Sequence, residues 1–192
     1  RRSPFDGYTD PEKNKSVIMK DVFTQGDSFF NTGDLVRDIG FRHAQFVDRL
    51  GDTYRWKGEN VSTTEVENAV SEYEKIAEAV VYGVEIPNTN GRAGMAAITL
   101  ADHAEFTQQD LQQMATEFKK CLPAYAVPVF LRIQVHVETT GTFKYQKNTL
   151  KEQAFDPNKT DERLLVLLPN ATEYCDLTAE IFNNIQAYQY RF

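Results

Sequence analysis

A chain of 192 residues with 41% hydrophobic, 26% charged and 12% aromatic residues has an ordinary globular composition, which excludes collagen-like and disordered classes and suffices for one or two small domains. Its 28 Asp and Glu against 21 Lys and Arg leave a net charge of −7 without any basic stripe, which excludes a phosphate-backbone binder. The longest aliphatic run, Leu164 to Leu168, is far short of the roughly 20 apolar residues that a bilayer crossing needs.

Cys121 and Cys175 are too few and too far apart for a disulfide framework or a CxxC pair, so a reducing, cytoplasmic setting is expected. The scattered histidines give no reason to expect a metal site. The polar opening at Arg1, with no signal-like apolar stretch, reads as a piece cut from a longer protein.

In chain order, residues 1–50 read as short strands and turns. Gly7-Tyr8, Gly26-Asp27, Thr32-Gly33-Asp34 and Ile39-Gly40 punctuate β-prone pieces such as Asp21-Val22-Phe23 and Phe41 to Val47. From Thr53 strands and helices alternate. Ser62 with Glu65 three residues on forms a capping box, and Val66, Ala69, Val70 and Tyr73 then recur on one helical face. Ala77 to Ile86 and Met95 to Ala101 read as a hairpin joined through Pro87-Asn88-Thr89-Asn90-Gly91. Thr107 is the expected N-cap of a second helix that buries Leu111, Met114, Ala115 and Phe118 and stops at Pro123.

From Val127 to Glu138 the odd positions are apolar, a period of two, and Pro128 near the start suggests an edge strand. The unit from 53 to about 155 is thus a βαββαβ-like α+β layer with two helices on one sheet face and a short last helix. The tail from Asp156 carries a strand-like run Leu164 to Leu168, a turn at Pro169-Asn170 and a helix from Thr178 to about Tyr188, with Leu177, Ile181 and Ile185 at helical spacing. It reads as an appendage that covers the body.

Several loops could carry chemistry, and each also has a plainer reading. Asn31-Thr32-Gly33-Asp34 is a turn whose carboxylate could bind vicinal hydroxyls or only its own backbone. Asp48-Arg49-Leu50-Gly51-Asp52 suits a hinge or a solvated connector. Trp56-Lys57-Gly58-Glu59-Asn60 places the chain's single Trp in a strand-to-helix loop, where it could line a ligand channel or close the core. Thr139 to Lys144 is a glycine-containing loop ending in a lysine without the GK[ST] ending of a P-loop, so Lys144 could be a phosphate reader or a surface charge. His136 stands at a polar strand position and reads as exposed.

Four stretches then carry a resemblance: "FFNTGDLVRD" at 29–38, "FVDRLGDTYRWKGENVSTTEVE" at 46–67, "VYGVEIPNTNGRAGMAAI" at 81–98 and "TGTFKYQKNTLKEQAFDP" at 140–157. In this order they resemble the C-terminal third of the adenylate-forming superfamily of acyl-CoA synthetases, nonribosomal adenylation domains and luciferases. Within it they look most like the fatty acid transport protein, or very-long-chain acyl-CoA synthetase, branch. The glycine in "DRLGD", the "GRAGMAA" hairpin and the "TGTFK" loop carry that branch assignment, and Tyr174, Leu177 and Phe182 look like its C-terminal extension.

The resemblance implies residues 1–50 as a β-rich remnant of a large N-terminal AMP-binding domain and 51–52 as a hinge. It implies 53–155 as a small mobile α+β C-terminal domain, its antiparallel-rich sheet covered by helices, and 156–192 as an extension packed on it. It implies ATP and CoA as co-substrates of a fatty acid, and Mg2+ held by the absent N-terminal domain. Asp34 would accept the ribose hydroxyls of ATP, and Arg49 would lie near ribose and phosphates. Gly51 and Asp52 would be the pivot, where many relatives have Asp or Lys and a Gly implies a looser hinge. Lys144 would be the lysine of adenylate formation, with Lys147 as the fallback if the register differs, since "FKYQKN" departs from the commoner "SGK". Trp56, Lys57, Gly58, Glu59 and Asn60 would line the pantetheine passage.

The implied reaction is fatty acid + ATP + CoA to acyl-CoA + AMP + pyrophosphate through an acyl adenylate, with the fragment alone inactive and any membrane attachment supplied by parts not included. A ligase for bile acids or another bulky carboxylate is the alternative within this chemistry. A non-catalytic ferredoxin-like module that binds a nucleotide or a protein is the alternative outside it.

Overall fold

Residue contacts divide the chain into two units, Arg1–Gly51 and Asp52–Phe192, and the computed structural model describes residues 17–49, 53–101, 104–134 and 147–192. In the first unit, β1 (Ile18–Lys20) pairs antiparallel with β2 (Ser28–Phe30), and β3 (Asp34–Gly40) pairs antiparallel with β4 (His43–Arg49). The piece Asp21-Val22-Phe23, expected to be strand, is instead a turn. Asp27 accepts the N–H groups of Val22, Phe23 and Thr24 at 2.7 to 2.9 Å, Asp21 accepts that of Gly26, and Asp21 itself takes a positive φ of 55°. A carboxylate that collects three backbone donors outcompetes the ladder locally.

β4 starts at His43 rather than Phe41, because Phe41 and Arg42 form a two-residue turn with φ of 51° and 61° after Gly40. Both central residues in the left-handed region match the twist of the strands they connect. Leu35, Val36, Ile39 and Phe41 of this unit are exposed.

The second unit opens with a hairpin of β5 (Tyr54–Trp56) and β6 (Glu59–Val61), followed by α1 (Thr63–Ser71). Next come β7 (Ile76–Val84), β8 (Ala93–Leu100), α2 (Gln108–Cys121), β9 (Phe130–Gln134), α3 (Lys147–Gln153), β10 (Arg163–Val166), β11 (Cys175–Asp176) and α4 (Ala179–Gln186). Both predicted N-caps form: Ser62 Oγ accepts from the Glu65 N–H, and Thr107 and Asp110 make a reciprocal capping box.

One five-stranded sheet has the order β11-β10-β9-β8-β7, antiparallel except for the parallel β8–β9 pair. The parallel step follows from α2, since parallel neighbours need a long crossover between them.

Three expectations change here. β9 is a central strand between β8 and β10, not an edge strand. Pro128 stands two residues before it, where its missing N–H removes no ladder bond, and its carbonyl accepts the buried Tyr174 hydroxyl at 2.7 Å. The alternation from Val127 also does not separate core from solvent. Phe130, Arg132 and Gln134 are as buried as Leu131, because both sheet faces are covered.

The tail, read as an appendage, supplies two strands to this same sheet and the cover of one of its faces. The register sets Tyr82, Met95, Phe130 and Val166 in one row across four strands, and on that row Phe130 stacks against Phe155 at 4.2 Å between ring centroids. Phe155 in turn meets Phe182 of α4 edge-on. Burying one such ring contributes about 2 to 3 kcal/mol, so this layer is an integral part of the core. The tail thus adds cover to the sheet beyond that of the two helices.

Candidate functional site

Asn31-Thr32-Gly33-Asp34 is a polar turn: Asn31 Oδ1 accepts the Gly33 N–H at 2.9 Å, Thr32 Oγ1 accepts the Asp34 N–H at 3.3 Å, and Gly33 has a φ of 74°. These bonds end the loop and start β3 at Asp34, which is exposed. The β3–β4 register then sets Asp34 directly opposite Arg49. The two residues expected at the nucleotide, 15 apart in sequence, thus become cross-strand neighbours at the open end of one hairpin. Directly opposed residues in an antiparallel pair stand about 5 Å apart. Arg49 is described by its backbone alone. Gly51, Asp52, His136 and Lys144 lie outside the described residues.

The five residues expected at the pantetheine passage occupy the β5–β6 hairpin, not a strand-to-helix loop. Trp56 and Glu59 are paired and Lys57-Gly58 make the turn, with φ of 51° and 88°. The Lys-Gly dipeptide between β-prone residues was the available signal, since a two-residue turn of this kind asks for positive φ at both positions.

Trp56 is 3% exposed and closes the core, while Lys57, Glu59 and Asn60 are exposed. The Lys57 ammonium lies 5.8 Å from the Trp56 ring centroid, within cation–π range. One side of the hairpin borders a cavity of about 420 Å³, whose wall includes Trp56, Lys57, Lys119, Val129, Leu168 and Arg191. The hairpin is held to the sheet by Arg92 N–H donating to Arg55 O at 2.7 Å and by a Trp56–Gly91 bridge. Tyr54 lies over the cross-strand pair Gly83 and Gly94, where a Cβ on Gly83 would stand 2.6 Å from Tyr54 Cβ. The glycines of the "GRAGMAA" stretch thus serve to seat this hairpin. A larger cavity of about 800 Å³ lies along the 85–92 loop, bordered by Arg55, Arg92, Phe155 and Lys159.

Lys147, the fallback for the lysine of adenylate formation, opens α3 and is committed elsewhere. Its ammonium is 3.0 Å from Glu67 Oε1 and 3.5 Å from Thr63 Oγ1, and it is mostly buried. Glu67 Oε1 also accepts the Val81 N–H at 2.9 Å, which satisfies a backbone donor of the sheet's last strand, β7. A cation held this way is a structural link.

Sequence reasoning missed two buried polar clusters. Asp110 accepts from Tyr73 Oη, Lys75 Nζ, and the N–H and Oγ1 of Thr107. Burial alone would raise its carboxyl, but the bonds from Thr107, Lys75 and Tyr73 hold it well below the usual carboxylate range. In the second cluster Arg132, 4% exposed, donates to Glu162 and, at 3.1 Å, to Thr160 Oγ1, while Gln134 Nε2 donates to Glu162 at 3.1 Å. Tyr82 Oη, Arg132 Nη1 and Gln134 Oε1 are buried there without a hydrogen-bond partner. Burial pushes the Tyr82 phenol up, and the charges of Arg132 and Glu162 act on it in opposite senses. A polar residue at an even position of an alternating strand gives no sequence signal of burial.

Among the described residues no group of three or more His, Cys, Asp or Glu converges as metal ligands. No helix among the described residues is long and apolar enough to cross a membrane.

Comparison with known proteins gives the family. Residues 65–144 match the AMP-binding enzyme C-terminal domain. The chain is 48% identical over 170 residues to the medium/long-chain-fatty-acid–CoA ligase FadD6 of Mycobacterium tuberculosis, covering 88% of this chain and 28% of that protein. It is 45% identical over 188 residues to long-chain fatty acid transport protein 6 of Mus musculus, covering 97% of this chain and 30% of that protein. ATP-bound MatB from Rhodopseudomonas palustris shares the fold, with a TM-score of 0.64 at 23% identity over 80% of this chain and 29% of that one. The chain spans about three tenths of the length of the curated relatives it matches. It therefore belongs with the proteins that carry the AMP-binding enzyme C-terminal domain, and over most of its length it is similar to a fatty-acid–CoA ligase and a long-chain fatty acid transport protein.

Proposed function

We propose that the chain is the C-terminal part of an ATP-dependent long- or very-long-chain fatty acyl-CoA ligase. The observation that carries this reading is the similarity of 88 to 97% of the chain, at 45 to 48% identity, to proteins named as fatty-acid–CoA ligase and long-chain fatty acid transport protein.

In the first half-reaction a fatty carboxylate oxygen attacks the α-phosphorus of ATP, a P–O bond forms, and pyrophosphate leaves with the electrons of the broken bond. Asp34 accepts the two ribose hydroxyls, which its paired oxygens suit, and Arg49 supplies a permanent cation beside it. Lys144 stabilises charge on the attacking and bridging oxygens, a type of contribution worth roughly 3 to 4 kcal/mol. Its rival Lys147 is spent on Glu67, which favours Lys144 for this role. In the second half-reaction the CoA thiol, as thiolate, attacks the acyl carbonyl, a C–S bond forms and AMP leaves. The domain turns about Gly51 and Asp52, withdrawing Lys144 and presenting the Trp56 to Asn60 hairpin to the pantetheine arm. There the Lys57-Gly58 turn lets the backbone approach closely, and Glu59 and Asn60 offer hydrogen bonds along the arm. Mg2+ supplies charge neutralisation of the phosphates, with ligands in the N-terminal domain.

The test is Lys144→Ala in the full-length enzyme. Acyl-adenylate formation is expected to fall by at least roughly 10²-fold, while preformed acyl adenylate is still converted by CoA. Equal loss in both half-reactions sinks the assignment.

A further inference from the structure

The loop that joins β7 to β8 contains the one Asn-Gly pair in the sequence, Asn90-Gly91. Its first half is a closed turn, in which Thr89 donates to Ile86 O through its N–H at 3.2 Å and its Oγ1 at 2.8 Å. Its second half is the tether of the β5–β6 hairpin, where Arg92 N–H donates to Arg55 O and Gly91 bridges to Trp56. Asn90 is exposed between these two fixed points and borders the cavity of about 800 Å³. Among the described residues neither its carboxamide nor the Gly91 N–H forms a hydrogen bond.

Other asparagines in the loops are held differently. The N–H that follows Asn88 is bound to Ile86 O, that after Asn158 to Asp156 O and that after Asn170 to Leu168 O, at 3.0 to 3.2 Å. Asn31 spends its carboxamide oxygen on the Gly33 N–H. An amide nitrogen whose proton is held by a carbonyl is a poor nucleophile, and a Cβ beside it crowds the approach. Gly91 carries neither restraint. No other residue suits position 91, since its φ is 89° and a Cβ there would collide with Arg55 O. The residue that seats the hairpin is thus also the one that leaves a nitrogen open to react.

We propose that Asn90-Gly91 is a spontaneous modification site, where ring closure converts Asn90 to isoaspartate and unseats the β5–β6 hairpin. The deprotonated Gly91 nitrogen attacks the Asn90 side-chain carbonyl carbon and a new C–N bond forms. The bond from that carbon to the side-chain nitrogen breaks, and this nitrogen takes up the proton and leaves as ammonia. Water then opens the cyclic imide at either carbonyl and gives aspartate or isoaspartate. In isoaspartate the main chain runs through the former side-chain carbonyl carbon, so it is longer by one methylene, and it carries a new carboxylate. The added methylene falls directly before the tight approach of Gly91 to Arg55 and draws Arg92 N–H away from Arg55 O. The effect on catalysis rests on the reading of this hairpin as the pantetheine contact.

In the experiment the full-length enzyme is aged in warm, mildly alkaline buffer, which favours loss of the Gly91 amide proton and exposes the thermal lability of asparagine. Modification at position 90 is read by peptide mass spectrometry and by labelling with an isoaspartyl carboxyl methyltransferase. Melting temperature and both half-reactions are followed in parallel. Asn90→Gln, whose longer side chain closes a ring far more slowly, is aged beside wild type. Asn90→Asp, measured fresh, carries the new charge without the longer main chain.

The expected result is loss of the Asn90 amide several-fold faster than that of Asn88, Asn158 or Asn170. Thioester formation and melting temperature fall in proportion to isoaspartate, adenylate formation falls less, and aged Asn90→Gln and fresh Asn90→Asp stay close to fresh wild type. Loss at Asn90 no faster than at Asn170 overturns the modification site. Isoaspartate that accumulates while melting temperature and both half-reactions match those of aged Asn90→Gln overturns the unseating. A lowered melting temperature with thioester formation unaffected upholds the site and the unseating, and sinks the reading of the hairpin as the pantetheine contact.

Discussion

Asp110 shows how much one side chain can organise. It closes the capping box of α2, receives Lys75 from the turn just before β7 and takes the Tyr73 hydroxyl, so it links α2 to the start of β7. Its carboxyl is held below the ordinary value of 3.8. A depressed folded-state pKa means that this stabilisation is complete above about pH 4 and is lost as pH falls through the folded value. In urea titrations of residues 52–192, Asp110→Asn is expected to lie about 1 to 3 kcal/mol below wild type at pH 6. The gap should narrow steadily below pH 4. A gap that stays constant down to pH 2 removes Asp110 as the group responsible.

The capping box was legible only in part at this scale. Thr107 was readable as an N-cap, and Asp110 three residues on completes the box locally, but Lys75 as the partner of Asp110 was not legible, since 35 residues separate them. Likewise the sequence puts Lys144 directly after the glycine-containing loop, with Lys147 as the fallback, but the Glu67 partner of Lys147 was not legible, since 80 residues separate them.

Among the elements, the β5–β6 hairpin depends on glycines 29 to 40 residues away. Tyr54 occupies the space above Gly83 and Gly94, and Arg55 O accepts the N–H that follows Gly91, whose φ is 89°. Adding one methyl at Gly94 forces the ring of Tyr54 out of its seat, which overpacking of a tight site makes costly by about 1 to 3 kcal/mol. Gly94→Ala is therefore expected to lower the melting temperature and, in the full-length enzyme, to impair thioester formation more than adenylate formation, because the displaced hairpin is the proposed pantetheine contact. Unchanged stability together with unchanged thioester formation counts against this seat.

Helices with capping signals and the β7–β8 hairpin were readable from the chain, because their determinants lie within a few residues of one another. β9 was misread as an edge because Pro128 and the alternation are local signals. Its neighbours on both sides come from segments more than 28 residues away.

For the molecule as a whole, the two units differ in how far they can stand alone. Asp52–Phe192 encloses one core in which Val66, Val80, Met114, Phe130 and Leu165 are fully buried, whereas the strands of the first unit leave Leu35, Val36, Ile39 and Phe41 in the open. Isolated two-stranded hairpins are marginal in water. Residues 52–192 expressed by themselves are expected to unfold cooperatively with a defined midpoint, and residues 1–51 to show no transition. A truncation at residue 156 should abolish the transition of the first piece, because β10, Phe155's partner Phe182 and the Tyr174 anchor would be gone. A folded 52–155 fragment is the result that contradicts an integral tail.

Read by itself, the chain determined its α+β class, its helix starts, its turn positions and the motifs that place it in a family, because each is written in residues close together. The tertiary structure alone decided that Asp34 faces Arg49, that Lys147 is bound to Glu67, that Arg132 is buried, and that the tail completes the sheet. Those outcomes depend on which distant strands become neighbours, and neighbour choice is set by the burial of two sheet faces at once rather than by any local pattern.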